Sequence, residues 1–235
     1  MQNKAKLLNL VYVDKNYAAT RELCRHENSS YAKILTAKSY FYERDFKSAK
    51  EIFRRTKSFL EEGYCELFSG NVKKAAALWK KAPESSCCLW AKFSADAIMK
   101  GESNRIPTYL GVRNFYECDL DVLTEVGLFD YAEKLINTAE YLAGICPEVY
   151  KFTARVLSNR GLTDEALLFV EKSKDLIYKD SELHFLEGEI RLKASDAKGA
   201  KACVERILSI DKNYYPAKVL DEKIKCWQKN ILDVK

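Results

Sequence analysis

The sequence predicts an all-α protein, a right-handed superhelical α-solenoid of about seven helix pairs. Three observations carry that prediction. First, Gly127-Leu-Phe-Asp-Tyr-Ala132, Gly161-Leu-Thr-Asp-Glu-Ala166 and Ser195-Asp-Ala-Lys-Gly-Ala200 align, with their closing alanines 34 residues apart each time. Second, only 9 Gly and 4 Pro occur in 235 residues, too little turn material for an all-β sandwich or barrel. Third, apolar residues recur at the i, i+3, i+4 spacing of helices that bury one face.

In chain order, residues 1–27 form an opening pair, with Leu7, Leu8 and Val11 on its first helix and Tyr17, Ala19 and Leu23 on its second. Residues 28–112 read as divergent short repeats. A helix from Tyr31 to Tyr42 precedes Phe46-Lys-Ser-Ala49 with Phe53, and a stripe of Phe59, Leu60, Gly63, Tyr64, Leu67 and Phe68 precedes Gly70-Asn-Val-Lys-Lys-Ala75 with Trp79. That stripe sits one residue later than in the other units, which predicts a tighter turn after it. Trp90, Phe93, Ala97 and Gly101 mark a further first helix. Its partner starts near Pro107, a residue suited to a first helical turn, and runs on through Tyr116, Leu120 and Leu123. Residues 113–214 carry the regular repeats, with second helices continuing through Leu135-Ile136-Ala139, Leu167-Val170-Leu176 and Val204-Ile207-Leu208. Residues 215–235 close the chain with an amphipathic helix bearing Val219, Ile224 and Trp227. No linker divides the chain, so residues 1–235 form one solenoid domain. A 34-residue helix–turn–helix unit with a small residue at the helix crossing resembles the tetratricopeptide repeat.

Composition narrows the function. There are 39 basic and 34 acidic residues, a net charge of +5, and 47% hydrophobic residues, as in a folded soluble chain. The eight cysteines form no C-x-x-C pair, no secretory leader is evident, and the thiols read as reduced core residues of an intracellular protein, nuclear or cytoplasmic. No apolar stretch reaches the ~20 residues of a membrane span. Residues 1–60 hold 13 basic and 6 acidic side chains, a local charge of +7. The basic residues interleave with apolar ones as on a wet helix face, and the overall pI of about 8.6 is low for a nucleic-acid-binding domain. Nucleic acid is therefore disfavoured as a partner.

Nothing in the chain spells catalysis. The phosphate loop, the dinucleotide loop, the H-E-x-x-H zinc motif and the nucleophile elbow are all missing from the sequence. His26 and His184 are far apart, and His184 occupies a large first-helix position that reads as core or rim. Cys24-Arg-His26 and Cys87-Cys88 each lack a second ligand pair. No catalytic residue, metal or cofactor is expected.

The remaining reading is a surface for proteins. The wall formed by successive first helices is apolar towards the N-terminus, through Tyr31, Ile34, Phe41, Tyr42 and Phe68, then Ala91, Ala95 and Ile98. Further on it turns acidic through Glu117, Asp121, Glu125, Glu148, Glu182 and Glu189, with Lys151 and Arg155 between. A clamp for a terminal carboxylate needs Lys and Asn on successive first helices, and Ala5, Asn9, Ile34 and Lys38 do not supply it. A stand-alone cytoplasmic adaptor or co-chaperone holding a client peptide fits this wall.

Tyr31-Ala-Lys-Ile-Leu-Thr-Ala-Lys-Ser-Tyr-Phe-Tyr-Glu-Arg-Asp-Phe-Lys-Ser-Ala-Lys, preceded by Tyr17-Ala-Ala-Thr-Arg-Glu-Leu-Cys, resembles the opening units of the tetratricopeptide scaffold subunits of the anaphase-promoting complex. Ser85-Ser-Cys-Cys-Leu-Trp followed by Asn114-Phe-Tyr-Glu-Cys-Asp-Leu-Asp-Val-Leu is similar to the next stretch of the subunit-three branch. The resemblance spans roughly residues 10–130. It implies a non-catalytic, homodimerising scaffold of a mitotic ubiquitin ligase, in which one protomer's first helix lies in the other's groove. Carried onto this chain, it implies Leu7, Leu8, Val11 and Tyr12 as the inserted face and Tyr31, Ile34, Phe41, Tyr42 and Phe68 as its receptor. The family's chains are longer than this one.

Overall fold

The computed structural model describes residues 2–232, with side chains from 5 to 229; residue 1 and residues 233–235 of the expected domain lie outside the described residues. Fifteen helices and no strand occur among the described residues. They are α1 (Gln2–Tyr12), α2 (Tyr17–Cys24), α3 (Ser30–Tyr42), α4 (Phe46–Arg55), α5 (Phe59–Phe68), α6 (Val72–Trp79), α7 (Ser86–Lys100) and α8 (Tyr109–Glu125). There follow α9 (Phe129–Ile136), α10 (Ala139–Ala143), α11 (Val149–Asn159), α12 (Thr163–Ile177), α13 (Ser181–Lys193), α14 (Ala197–Ile210) and α15 (Tyr215–Leu232).

The helices gather into two compact units. One comprises residues 1–108 with 125–135, the other 109–124 with 136–235. In the first unit each helix from α1 to α7 packs on the next, and α1 also meets α3. In the second, α10 to α15 pack in the same sequential way, with α11 also meeting α13 and α13 meeting α15. Contact with the next and next-but-one helix is the grammar of an α-solenoid, in which each hairpin buries its apolar face on its neighbour.

One local device makes the hairpins. A residue in the left-handed region is followed by the N-cap and then by the first residue of the next helix. Gly70, Gly127 and Gly161 take that place with φ near 80°, and so do Lys15, Arg44, Lys57 and Ser195 with φ between 49° and 66°. The N-cap amide then reaches back to the previous helix: Asp45 N to Tyr40 O at 2.9 Å, Asn71 N to Glu66 O at 2.8 Å, Leu162 N to Leu157 O at 3.0 Å and Asp196 N to Arg191 O at 2.8 Å. This is the Schellman ending, which satisfies carbonyls a helix would leave bare. The cap side chain starts the following helix, as Asn16, Asp45 and Asp196 do by accepting from Ala19 N, Ser48 N and Gly199 N. The turn before α6 has the same geometry and spacing as the others, so the tighter turn expected there is not formed.

The small residues fall where expected. Ala49, Ala75, Ala166 and Ala200 are completely buried and Ala132 is 3% exposed. Two expectations are corrected. The helix expected to continue from Leu135 to Ala139 breaks after Ile136, and α10 adds an extra five-residue helix. The helix expected from near Pro107 starts at Tyr109, though it runs unbroken to Glu125 and buries Tyr116, Leu120 and Leu123 fully.

Candidate interaction site

The residues expected to form an inserted face divide by helical phase. Leu7 and Val11 are 4% and 1% exposed, in a core with Cys24, Ala32 and Leu35, against which Tyr31 and Tyr42 also pack. The chain itself covers them. Leu8 and Tyr12, one position further round α1, are 42% and 44% exposed, and Val13 beyond the helix is 71% exposed.

The expected receptor residues sit in a run of touching rings. Tyr42 stacks on Tyr17 at 5.8 Å and meets Tyr12 edge-on at 6.1 Å. From Tyr42 the run passes through Phe41, Phe46, Phe68 and Tyr64 to Trp79, with centroids 5.2–6.0 Å apart. Such spacings suit offset or edge-to-face pairs. Ile34, Phe41 and Tyr42 are half-buried, whereas Phe68 is covered by its neighbours. Ala91, Ala95 and Ile98, expected along an open apolar wall, are at most 2% exposed and belong to the core of the first unit. The structure thus reduces the apolar wall to the outer rim of α1 and α3. Tyr17 and Phe46 join the ring run unforeseen. Both occupy the first helical position after a left-handed residue and its N-cap, and that shared register was readable.

The second unit holds polar rungs between its first helices. Lys151 of α11 reaches Asp180 at 2.6 Å and Glu182 at 2.7 Å. Arg155 joins Glu117 of α8 at 3.0 Å to Glu182 of α13 at 2.8 Å, and Arg160 meets Asp121 at 3.0 Å. Glu148 takes Arg113 at 3.2 Å, and Glu189 takes Lys223 of α15 at 2.9 Å. Burial alone would lower the Lys151 ammonium, but the carboxylates of Asp180 and Glu182 overcome it and hold it above its ordinary value. In the first unit Glu125 is likewise bound to Arg44, at 2.6 Å. The expected acidic wall is therefore a set of neutralised pairs rather than a patch of free negative charge. The exposed pairs among them contribute roughly 0–1 kcal/mol each, whereas Lys151 is itself buried, at 4% exposure.

Buried charge appears at two further places. Glu62 and Glu66 of α5, each 5% exposed, are held by Arg54 at 3.0 Å and Lys50 at 3.2 Å from α4. Glu187 of α13, 1% exposed, is met by Lys174 and Arg191, each at 2.9 Å. Burial alone would raise its carboxyl; the neighbouring His184 ring together with Lys174 and Arg191 more than offsets this and holds it well below the usual carboxylate range. His184 Nδ1 lies 3.6 Å from Glu187, beyond a hydrogen bond, while its Nε2 pairs with the Tyr178 carbonyl at 2.7 Å. His184 is fully buried, in the core position expected for it.

Five of the eight cysteines are buried free thiols, with Cys87 half-buried and Cys118 and Cys226 exposed. Burial pushes the Cys65, Cys146 and Cys203 thiols up to about 12, where no reactive thiolate forms near neutral pH. Among the described residues no group of three or more His, Cys, Asp and Glu side chains is placed to hold a metal ion, and no helix is long and apolar enough to cross a membrane.

No protein-family model matches the chain, and no curated protein matches it in sequence. Among solved structures it is similar to three. One is the crystal structure of the APC/C hetero-tetramer Cut9–Hcn1, at 13% identity and a TM-score of 0.39, covering 93% of this chain and 48% of that one. Another is YrrB, a TPR protein with an unusual peptide-binding site, at 11% identity and a TM-score of 0.37, covering 88% of this chain and 97% of that one. The third is a tetratricopeptide repeat protein from Parabacteroides merdae ATCC 43184, at 14% identity and a TM-score of 0.38, covering 96% of this chain and all of the other. The chain spans about half the length of the Cut9–Hcn1 chain it matches.

Proposed function

We propose that the chain is a non-catalytic protein–protein interaction scaffold whose N-terminal repeats pair two copies. The scaffold subunits of the anaphase-promoting complex ubiquitin ligase, active in cell-cycle control in nucleus and cytoplasm, are the type it follows. The observation that supports this is the outer face of α1. Leu8 and Tyr12, one position round α1 from the buried Leu7 and Val11, and Val13 just beyond the helix are exposed, and Leu23 of α2 is also 45% exposed. Apolar side chains left open to water on one face call for a partner. The half-buried Ile34, Phe41 and Tyr42 on α3 are the receptor in this reading. The polar groups of the second unit serve hairpin register, which is what a scaffold requires of them.

The second reading, a stand-alone adaptor holding a client peptide, rests on the same half-buried residues. Affinity capture of the tagged chain from its native lysate separates the two. Recovery of the other anaphase-promoting-complex subunits in stoichiometric amounts supports the first. Recovery of a different protein in their place transfers the function to the adaptor reading.

A further inference from the structure

The first unit contains a cavity of about 400 Å³ lined by Val11, Tyr12, Lys15, Tyr17, Tyr42 and Arg44. It lies at the turn edge of the hairpins, because Lys15 and Arg44 are the left-handed residues of the α1–α2 and α3–α4 turns. Its walls are the stacked Tyr17 and Tyr42 rings and the Tyr12 ring set edge-on to Tyr42. A planar apolar group fits beside such walls. The volume is at the small end for ligand sites, enough for one aromatic side chain and its flanking backbone but too small for a helix about 10 Å across.

The charges at this edge are unequal. Arg44 is bound to Glu125 at 2.6 Å, so its guanidinium is offset. Lys15 is exposed and makes no ion pair among the described residues, and Asp14 beside it does not line the cavity. Lys38, which does not itself line the cavity, has its Nζ 3.0 Å from the Tyr12 hydroxyl and makes no ion pair among the described residues. Residues 1–60 together carry +7. An aromatic slot with the Lys15 ammonium on its lining and the Lys38 ammonium at the hydroxyl of its Tyr12 wall is complementary to an aromatic ring flanked by carboxylates.

We infer that this cavity is a docking site for an acidic peptide segment bearing an aromatic side chain, with the ring against Tyr12, Tyr17 and Tyr42 and the flanking carboxylates at Lys15 and Lys38. The inference rests on the protein-binding function proposed for the chain and gives it a second site, which shares Tyr12 and Tyr42 with the proposed pairing surface but not Leu8 or Val13.

The test uses the full chain and fluorescein-labelled acetyl-Glu-Asp-Trp-Asp-Glu-amide, read by fluorescence anisotropy. Saturable binding is expected, at least tenfold weaker for the peptide with Ala in place of Trp. Lys15→Glu, with unchanged circular dichroism, and the same peptide with Lys flanks should each lose a similar factor, and rising salt should weaken binding. Tyr17→Phe, which keeps the ring, should retain it. No saturable binding, equal binding by Lys15→Glu, or preference for AMP over the peptide would each overturn the proposal. Lys15→Glu leaves the outer face of α1 intact. Sedimentation of that variant as a dimer, alongside failed peptide binding by the wild type, would remove this site and leave the scaffold reading standing.

Discussion

Trp79 is completely buried at the end of α6, where its indole N–H donates to the Leu60 carbonyl at 3.0 Å and its ring meets Tyr64 at 5.2 Å. Gly63 in α5 makes that possible. A Cβ there would fall against the indole Nε1 and within 2.6 and 2.8 Å of its Cδ1 and Cε2. In an open helix Gly→Ala gains about 1 kcal/mol of propensity. At position 63 the methyl must push a fully buried ring aside, an overpacking cost of roughly 1–3 kcal/mol. Losing the bond to Leu60 adds about 1 kcal/mol. Gly63→Ala is therefore expected to destabilise the chain by about 1–3 kcal/mol, a fall of several degrees in Tm for a chain this long. Gly144→Ala supplies the opposite sign. That glycine is exposed with ordinary helical φ, and its nearest contact to an added Cβ is 3.5 Å away, so the change should be neutral or stabilising. Urea melts followed by circular dichroism at 222 nm measure both. A Gly63→Ala chain as stable as the wild type would refute this close packing of α5 on α6.

The turns give a second sign test: Gly161→Ala, at φ 81° with open space around it, should cost about 1 kcal/mol, while Ser195→Gly, at φ 63°, should gain several tenths, both by chemical denaturation. Glu187 predicts the acid limb. A carboxyl held below its ordinary 4.5 in the folded state contributes stability that is complete above about pH 5 and is lost as pH falls towards the folded value. Glu187→Gln should therefore be less stable near pH 7, by on the order of 3 kcal/mol, because Lys174 and Arg191 keep their charge beside a neutral partner. Its stability should fall less steeply than the wild type's between pH 5 and pH 3; parallel acid limbs would count against the buried pair.

Most of the fold was legible because its device is local. A left-handed residue, a cap and a small residue five positions after that first one recur in sequence, and Gly161-Leu-Thr-Asp-Glu-Ala166 carries all three. Where the left-handed residue is not glycine, as at Arg44 and Ser195, the pattern is fainter yet the backbone is the same. The site was less legible because it depends on partners distant in sequence. Glu182 reads as a free acid until α11 brings Lys151 and Arg155 to it from about 30 residues away. Leu7 and Leu8 are equally apolar in sequence, and only the packing of α1 on α2 and α3 decides which is core. The cavity between the α1–α2 and α3–α4 turns was invisible for the same reason: its walls come from separate helices.

The pairing of two copies through α1 is tested most directly by sedimentation equilibrium of the full chain at micromolar concentration, beside Leu8→Glu with Val13→Glu. Both changes fall on the exposed face, where the fold does not need them, whereas a charge at Val11 would enter the core. Pairing predicts twice the 27.0 kDa chain mass for the wild type. It predicts a single mass for the double variant, with the helical signal unchanged. A wild-type chain sedimenting as a monomer, or a double variant that remains a dimer, would contradict it.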